Sequence, residues 1–183
     1  MADRLLRLLR ERALRRGEVR LASGRQSDWF VDCKQAVLGA EGHVLVGEAL
    51  LEAIERLPER PVAVAGVELG GCSLASAVAT LSWQRGRPLD AIYVRKAAKE
   101  HGSRRSCEGD DHLPAGAPVV VLEDVLTTGG SALRAVERLT ERGHRPVGVV
   151  ALVDRGEGGR QAIEAAGLPV VACYGRADLL GES

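Results

Sequence analysis

The chain has 183 residues, 45% of them hydrophobic and 27% charged, which is enough apolar material for one globular domain with a substantial core. Its 25 basic and 25 acidic residues cancel, so the formal net charge is zero, and this argues against a surface built for nucleic acid or for an anionic membrane. Only 3% of the residues are aromatic, so the core must be aliphatic.

The cysteines and the N-terminal residues bear on the cellular compartment. Cys33, Cys72, Cys107 and Cys173 form no CxxC pair and match no zinc spacing. Leucines alternate with arginines near the N-terminus, and no run of about 18 apolar residues occurs anywhere. Two disulfides in a secreted protein would also fit the even count, but a domain of this size needs no such cross-links. We therefore expect a soluble, reduced, cytoplasmic protein that binds neither nucleic acid nor membrane.

The first third of the chain predicts two helices and a hairpin. Leucines near helical spacing, from Leu5 to Leu14, predict an amphipathic helix that ends near Gly17. Residues 19–32 have strand-like ends around a Ser-Gly turn, which indicates a hairpin. A second helix is predicted over 42–57, and Pro58 ends it. Its inward-facing residues are predicted to be Val44, Leu45, Ala49, Leu50, Ala53, Ile54 and Leu57.

The remaining residues predict short buried strands that alternate with helices. The predicted strands are 62–65, 91–94, 118–122, 147–153 and 170–172, and the predicted helices are 73–85, 131–142 and 161–166. Apolar strands without alternation, separated by helices, indicate an α/β fold in which a parallel central sheet has helices on both faces. Ligands bind at the carboxyl ends of the strands in such sheets, so the loops after the strands are where a site is expected.

One of these loops is typical of a phosphate site. An apolar strand at 119–122 is followed by Glu123 and Asp124, and a Thr-Thr-Gly-Gly-Ser turn at 127–131 then opens a helix. Glycines allow close backbone approach, and the N–H groups of a helix N-terminus attract an anion. The two acids would repel that anion, so their natural partners are ribose hydroxyls or a hydrated Mg²⁺. A plain helix cap would explain the turn but not the acids, so the pattern favours a ribose phosphate.

This segment resembles the phosphoribosyl pyrophosphate (PRPP) motif of the type I phosphoribosyltransferases. In that family the acids bind the ribose hydroxyls and the loop binds the 5-phosphate. The resemblance implies a catalytic role for Asp124. It also implies PRPP contacts from Glu123, Asp124, Val125, Leu126, Thr127, Thr128, Gly129, Gly130 and Ser131.

A charged stretch at 95–116 lies between two of the predicted strands and has almost no apolar pattern. Taken alone, it would be a solvated loop. Its Arg-Lys-x-x-Lys-x-His-Gly spacing resembles the flexible catalytic loop of the orotate phosphoribosyltransferases. That resemblance implies that Arg95, Lys96, Lys99 and His101 contact PRPP, with Lys99 and His101 catalytic. Cations aimed at the leaving pyrophosphate would lower the barrier, and His101 could protonate it. It also implies a homodimer in which each loop reaches into the neighbouring subunit's site.

Residues 21–32 resemble the same family's N-terminal hood, which implies orotate contacts near Phe30 and Val31. Two departures are present: Asp28 stands where Pro is usual, and Ala22 where some members carry a PRPP-contacting Lys. A hairpin with a stacked aromatic ring would fit these residues equally well. Residues 65–71 resemble the pyrophosphate loop of the family, with contacts expected from the backbone.

Arg155 follows the predicted strand at 147–153 and is the main argument for the base. The resemblance implies that it pairs with the orotate carboxylate, and that Thr127 also contacts orotate. A planar guanidinium binds a carboxylate through two hydrogen bonds. The alternatives for Arg155 are a surface position or a pair with Asp154 or Glu157.

These resemblances imply transfer of ribose 5-phosphate from PRPP to orotate, which gives orotidine 5'-monophosphate and pyrophosphate in pyrimidine biosynthesis. The cofactor expected is Mg²⁺, held mainly by PRPP and water, with no metal ligand assigned in the protein. One domain is expected over 1–183, with a hood at 1–40 and a flexible catalytic loop at 95–116. The alternatives are a relative that takes a purine or xanthine, and a PRPP-sensing regulator without catalytic activity.

Overall fold

The computed structural model describes residues 2–20, 26–96 and 106–181. Its N-terminal part is a small helical and hairpin unit. Helix α1 (Ala2–Leu8) continues through a π-helical turn at Leu9–Ala13, and strands β1 (Leu14–Arg20) and β2 (Gln26–Val31) then pair antiparallel. A short helix, α2 (Lys34–Val37), was not predicted.

The predicted hairpin is confirmed, but the first helix ends at Ala13 and not near Gly17. Leu14 pairs with Val31 and Arg16 with Trp29. Leu14 and Arg16 therefore form cross-strand hydrogen bonds in place of the helical ones that were predicted. The pairing shifts register between Arg16 and Val19, and Gly17 adopts a φ of 118° in that bulge. Glycine reaches this conformation without steric cost, which allows the strand to continue past it.

The main sheet confirms the predicted fold class. The described chain contributes six strands to it, in the order β5-β4-β3-β6-β7-β8. They are β3 (Ala63–Val67), β4 (Asp90–Val94), β5 (Cys107–Glu108), β6 (Pro118–Leu126), β7 (Arg145–Asp154) and β8 (Val170–Gly175). All neighbouring pairs are parallel except β4 with β5, so the carboxyl ends of the parallel strands meet at one edge.

Helices cover both faces of this sheet. They are α3 (Ala40–Ile54), α4 (Gly70–Gln84), α5 (Gly130–Glu141), α6 (Gly159–Ala165) and α7 (Arg176–Leu180). Along β6, Val120 and Leu122 pack into the core with α3 and α4, whereas Val119 and Val121 pack into the core with α5 and α6. A strand buried on both faces has no polar side, which is why its sequence shows no alternation.

The prediction for the inward face of α3 was wrong at Val44, which is 49% exposed. The buried residues of this helix include Leu45, Val46 and Leu50, and Val44 lies away from them around the helix. The helix also ends at Ile54, before Leu57, which is buried in the turn that leads to Pro58.

Strand β6 is longer than predicted, and this changes the placement of the two acids. Glu123 pairs with Ala151, and Leu126 pairs with Asp154 on β7. Glu123 and Asp124 therefore lie within the strand, not beyond its carboxyl end. The parallel ladder fixes their backbone, so the acids have a rigid position.

The last part of the charged stretch is anchored to the sheet. Cys107 and Glu108 form β5 on the edge of β4, and the side chain of Asp110 is buried. One carboxylate oxygen of Asp110 accepts a hydrogen bond from Arg142 Nε at 2.8 Å and lies 3.2 Å from His144 Nε2. Across the three described ranges, no helix has the length and apolarity to cross a membrane.

Gly42 tests how closely α2 packs on α3. A methyl group at Gly42 would lie 2.0 Å from the carbonyl oxygen of Ala36, and a backbone atom cannot move aside as a side chain can. Gly42→Ala should therefore lower the free energy of unfolding by about 1–3 kcal/mol, as overpacked sites do. Urea denaturation would measure this change.

The matched control is Gly39→Ala, where the new methyl group would first meet the flexible end of Arg12 at 3.4 Å. Gly39 caps α3, so its substitution should cost at most about 1 kcal/mol. Equal losses for the two variants would contradict the close approach of the helices.

Candidate active site

The loop after β6 forms a concave site at the carboxyl edge of the sheet. A cavity of about 120 Å³ is lined by Glu123, by the seven residues from Val125 to Ser131, and by Arg134. Gly129 takes a φ of 82° and is followed directly by α5, so the loop turns sharply into the helix N-terminus. Backbone N–H groups at such a turn are suited to bind an anion, which agrees with the phosphate cup predicted from the sequence.

Close packing holds this loop in place. A methyl group at Gly159 would lie 2.5 Å from the carbonyl oxygen of Thr127, so the start of α6 contacts the loop backbone directly. The N–H of Arg155 donates to the carbonyl oxygen of Leu126 at 3.0 Å. The loop is therefore built against β7 and α6 rather than free in solvent.

The glycine-rich turn before α4 reaches the same edge. A methyl group at Gly70 would lie 2.0 Å from Asp124 Oδ2, and one at Gly66 would lie 2.0 Å from the carbonyl oxygen of Gly71. Only glycine permits these approaches. The predicted pyrophosphate turn and the acids of β6 are therefore neighbours, which the sequence did not establish.

The two acids differ in their surroundings. Asp124 is half-buried, and its Oδ1 accepts a hydrogen bond from the N–H of Val125 at 2.9 Å. Glu123 is 8% exposed, and burial, with the Asp124 carboxylate as a second cause, raises its pKa to about 8. The positive charges of Lys96 and Arg134 oppose this rise. At neutral pH the free protein thus holds Glu123 mainly protonated, as a potential hydrogen-bond donor.

A cluster of cations lies beside the cup. Arg95, Lys96, Arg134 and Arg138 line a small cleft between the ends of β3 and β4 and the first turns of α5. The N–H of Lys96 donates to Glu68 Oε2 at 2.9 Å, and Arg138 Nη2 donates to the Lys96 carbonyl oxygen at 2.8 Å. These contacts fix the backbone at Lys96, where the predicted catalytic loop begins. The predicted catalytic residues Lys99 and His101 lie outside the described residues.

Arg155 is buried beneath the hairpin and is not a surface residue. It is 5% exposed, and its Nη2 donates to Ser27 Oγ at 3.1 Å and to the Trp29 carbonyl oxygen at 3.3 Å. Its Nε lies 3.0 Å from Glu157 Oε1, and its guanidinium carbon lies 4.5 Å from the centre of the Trp29 ring. One of the alternatives, a pair with Glu157, is therefore present, but in a buried setting that also includes the hairpin.

The hairpin residues predicted to contact orotate have different exposures. Phe30 is half-buried, whereas the side chain of Val31 is 3% exposed and belongs to the core. A ligand could therefore reach Val31 only through its backbone. Trp29, whose ring stacks on Arg155, was not singled out from the sequence.

Other site residues were also missed. Arg134 and Arg138 follow Ser131 by three and seven residues, a spacing that places all three on one face of α5. That helical spacing was the available signal, whereas the hydrogen bond from Lys96 to Glu68 depends on tertiary structure. In the described part of the chain, no group of three or more His, Cys, Asp or Glu side chains could hold a metal ion.

Glu123→Gln tests the burial of this carboxyl group. Because the pKa in the folded protein, about 8, exceeds the ordinary value of 4.5, ionisation opposes folding, and stability is lost as the pH rises between these values. The variant lacks this loss. Its stability relative to the original protein should rise from about pH 5 to about pH 8 and then level off, by a few kcal/mol at most.

Urea denaturation of the ligand-free protein at several pH values would measure this difference. The matched control is Glu141→Gln, at an exposed position of α5. A stability difference for Glu123→Gln that is constant across this pH range would contradict the assigned environment.

Comparison with known proteins gives the family. Residues 40–165 match the phosphoribosyl transferase domain. The orotate phosphoribosyltransferase of Sorangium cellulosum (strain So ce56) is 61% identical over 181 residues, which cover 99% of this chain and 94% of that protein. The orotate phosphoribosyltransferase of Bradyrhizobium sp. (strain BTAi1) is 45% identical over 173 residues, covering 93% and 92%.

Solved structures agree with this assignment. The crystal structure of the Mycobacterium tuberculosis H37Rv orotate phosphoribosyltransferase in complex with PRPP is 35% identical, with a TM-score of 0.80, and the match covers 97% of this chain and 98% of that one. The enzyme from Aeropyrum pernix is 33% identical, with a TM-score of 0.80 and 97% of each chain covered. This chain therefore belongs to the orotate phosphoribosyltransferase family.

Proposed function

We propose that this chain transfers ribose 5-phosphate from PRPP to orotate, giving orotidine 5'-monophosphate and pyrophosphate in pyrimidine biosynthesis. The observation that carries the proposal is Arg155, whose guanidinium is buried under the hairpin and whose backbone N–H donates to Leu126 at the start of the phosphate loop. Relatives of this chain are named for this activity, and one of them has been crystallised with PRPP.

In this proposal the cup at 127–131 holds the 5-phosphate through backbone N–H groups and hydroxyls. The carboxyl groups of Glu123 and Asp124 hold the ribose hydroxyls beside it. Asp124 is the one that remains half-exposed, and its contact with the glycine turn places it between the two phosphate-binding segments. A rigid acid at that position would orient the ribose for transfer.

We assign the binding of the leaving pyrophosphate to the cationic side chains beside the cup. Arg95 and Lys96 border the cleft beside the cup, and the sequence spacing extends this series to Lys99 and His101. Donors aimed at the group that gains negative charge stabilise the transition state more than the ground state. His101 would supply the proton that the leaving group accepts.

Orotate is assigned to the space beneath the hairpin. Arg155 would bind the carboxylate that distinguishes orotate from uracil, and Thr127, Phe30 and Val31 would contact the ring. The Trp29 ring and Glu157 hold the guanidinium in position, so little side-chain freedom is lost when orotate binds.

The cofactor proposed is Mg²⁺. Glu123 and Asp124 provide hard oxygen donors at the site, but two adjacent acids are fewer ligands than a dedicated protein cage would provide. The donor set therefore fits an ion held mainly by the pyrophosphate of PRPP and by water. When bound, the ion would neutralise part of the charge on that group.

We also propose a cytoplasmic homodimer in which the predicted loop at 95–116 serves the neighbouring subunit's site through the part that precedes β5, with residues 1–40 as the hood of a single domain. Exposed apolar side chains on one side of the molecule support self-association. Leu69, directly before α4, and Trp83, near the end of α4, are 66% and 75% exposed. They lie seven residues before and after Ser76, whose hydroxyl contacts Tyr93, so the three positions share one side of the helix.

The reaction is tested by following the absorbance of orotate mixed with purified protein, PRPP and Mg²⁺. Orotate should disappear only when all components are present, and Lys99→Ala should abolish most of the turnover. Pyrophosphate release with a purine instead of orotate would overturn the choice of base. PRPP binding without turnover on any base would indicate a PRPP-sensing regulator without catalytic activity.

Arg155→Lys tests the orotate carboxylate contact within the same assay. Lysine keeps the charge but lacks the planar guanidinium that forms two hydrogen bonds with a carboxylate. The KM for orotate should therefore rise by about tenfold to a hundredfold. The KM for PRPP should stay within about twofold, which shows that the protein is folded. Equal changes in both constants would contradict the assignment.

Trp83→Glu tests the proposed dimer. A charge at this exposed apolar position should weaken self-association in sedimentation experiments and lower kcat, because each site would lose the neighbouring loop. Trp83 is 75% exposed, so the fold of the subunit should be preserved. The control is Val62→Glu, at a 42% exposed residue just before β3. An unchanged dimer would contradict the role of this surface.

A further inference from the structure

The phosphate cup contains donors of only partial charge apart from one side chain. Its loop contributes N–H groups and the hydroxyls of Thr127, Thr128 and Ser131, and Glu123 forms part of its wall. Among the described residues that line this cavity, Arg134 alone carries a positive charge. A phosphate monoester brings a charge of about −1.5 to −2 at neutral pH. Neutral dipoles supply only part of the compensation that such a charge requires.

Arg134 is folded back over the entrance of the cup. It lies in the second turn of α5, and its Nη2 donates to Ser131 Oγ at 3.3 Å. A methyl group at Gly130 would lie 3.3 Å from Arg134 Nη1. The guanidinium therefore covers the same helix turn whose N–H groups form the cup, and its side chain is exposed to an incoming ligand.

Nearby arginines form ion pairs with carboxylates of the fold, and Arg134 differs from them in this respect. Arg142 binds the buried Asp110, and Arg160 binds Asp154 at the end of β7. Within the described ranges, Arg134 forms no ion pair with a carboxylate. Its charge nevertheless reaches into the cavity, because it opposes the rise in the pKa of Glu123. A cation at this position that no described carboxylate neutralises is available to a ligand.

Two anionic groups of PRPP could use this cation, because Arg134 also lines the cleft that holds Arg95, Lys96 and Arg138. The side-chain contacts distinguish them. Arg138 donates to the Lys96 carbonyl oxygen and lines only the cleft, whereas the guanidinium of Arg134 lies against Gly130, which lines the cup and not the cleft. The geometry favours the 5-phosphate over the pyrophosphate.

We propose that Arg134 is a binding residue for the 5-phosphate of the ribose ligand and supplies the full positive charge that the cup otherwise lacks. This inference rests on the proposed function, because that function places a ribose 5-phosphate group in the cup. Arg134 contacts the ligand at the end remote from the reacting carbon, so it acts on binding more than on the chemical step.

Calorimetric titration with ribose 5-phosphate tests the contact without turnover. Arg134→Gln keeps a long polar side chain and removes the charge, and it should weaken binding about tenfold, as loss of a charge-assisted hydrogen bond does. Arg134→Lys should recover most of the affinity, and the difference between the variants should shrink as salt is added. In the orotate assay, Arg134→Gln should raise the KM for PRPP with little change in kcat.

The matched control is Arg87→Gln, because Arg87 is an exposed residue before β4 that forms an exposed ion pair with Glu55. It should leave ribose 5-phosphate binding unchanged. Unchanged binding in Arg134→Gln would overturn the inference. So would weaker binding of inorganic pyrophosphate with unaltered ribose 5-phosphate binding, since that result would assign Arg134 to the leaving group.

Failure of the proposed function would give a different combination of binding and turnover results. If the original protein binds ribose 5-phosphate through Arg134 but consumes no orotate, the phosphate contact is supported and the choice of acceptor is wrong. If the original protein consumes orotate but binds no ribose 5-phosphate, the proposed function stands and the inference is overturned.

Discussion

Two adjacent carboxyl groups lie in the final residues of a central strand that is otherwise apolar and buried, and much of the site depends on this placement. Burial disfavours the charged form of Glu123, so the free protein holds it mainly neutral, while Asp124 keeps partial access to solvent and a backbone hydrogen bond. The parallel ladder with β7 fixes both residues. The glycine turn before α4 then approaches Asp124 more closely than any residue with a side chain would allow. A rigid pair of acids is thus surrounded by segments whose backbone N–H groups attract anions.

The cations are arranged around these acids with different degrees of freedom. Arg155 is buried under the hairpin, stacked on Trp29 and paired with Glu157, so it is held in one orientation before any ligand arrives. Arg134 is exposed, and its guanidinium donates to the hydroxyl of Ser131. Preorganisation of this kind lowers the entropy lost on binding for the first residue, whereas the second remains available for a charged group that enters from solvent. The zero net charge of the chain conceals this local concentration of positive charge.

The edge of the sheet also connects the two ligand-binding segments mechanically. The backbone of Lys96 is held by Glu68 from the glycine turn and by Arg138 from α5. The second end of the charged stretch is held by β5 and by the buried Asp110, which binds Arg142 at the end of α5. Helix α5 therefore contacts the phosphate loop at its first turn and both ends of the charged stretch along its length. Through these contacts, α5 connects the cup to the segment that carries the proposed catalytic residues.

The sequence by itself determined the five parallel strands, the larger helices between them and the family, because these depend on local patterns: apolar runs, a Gly-Gly turn before a helix, and the spacing of Arg95, Lys96, Lys99 and His101. It also pointed to Arg155. Only the tertiary structure decided that β1 begins at Leu14 and that residues 14–16 are strand and not helix, since cross-strand pairing outweighed helical periodicity there. It alone placed Gly70 against Asp124 and Trp29 against Arg155, and Arg134 over the cup. Contacts between residues distant in sequence follow from how the sheet and its helices pack, and burial, which sets the pKa of Glu123, exists only after that packing has formed.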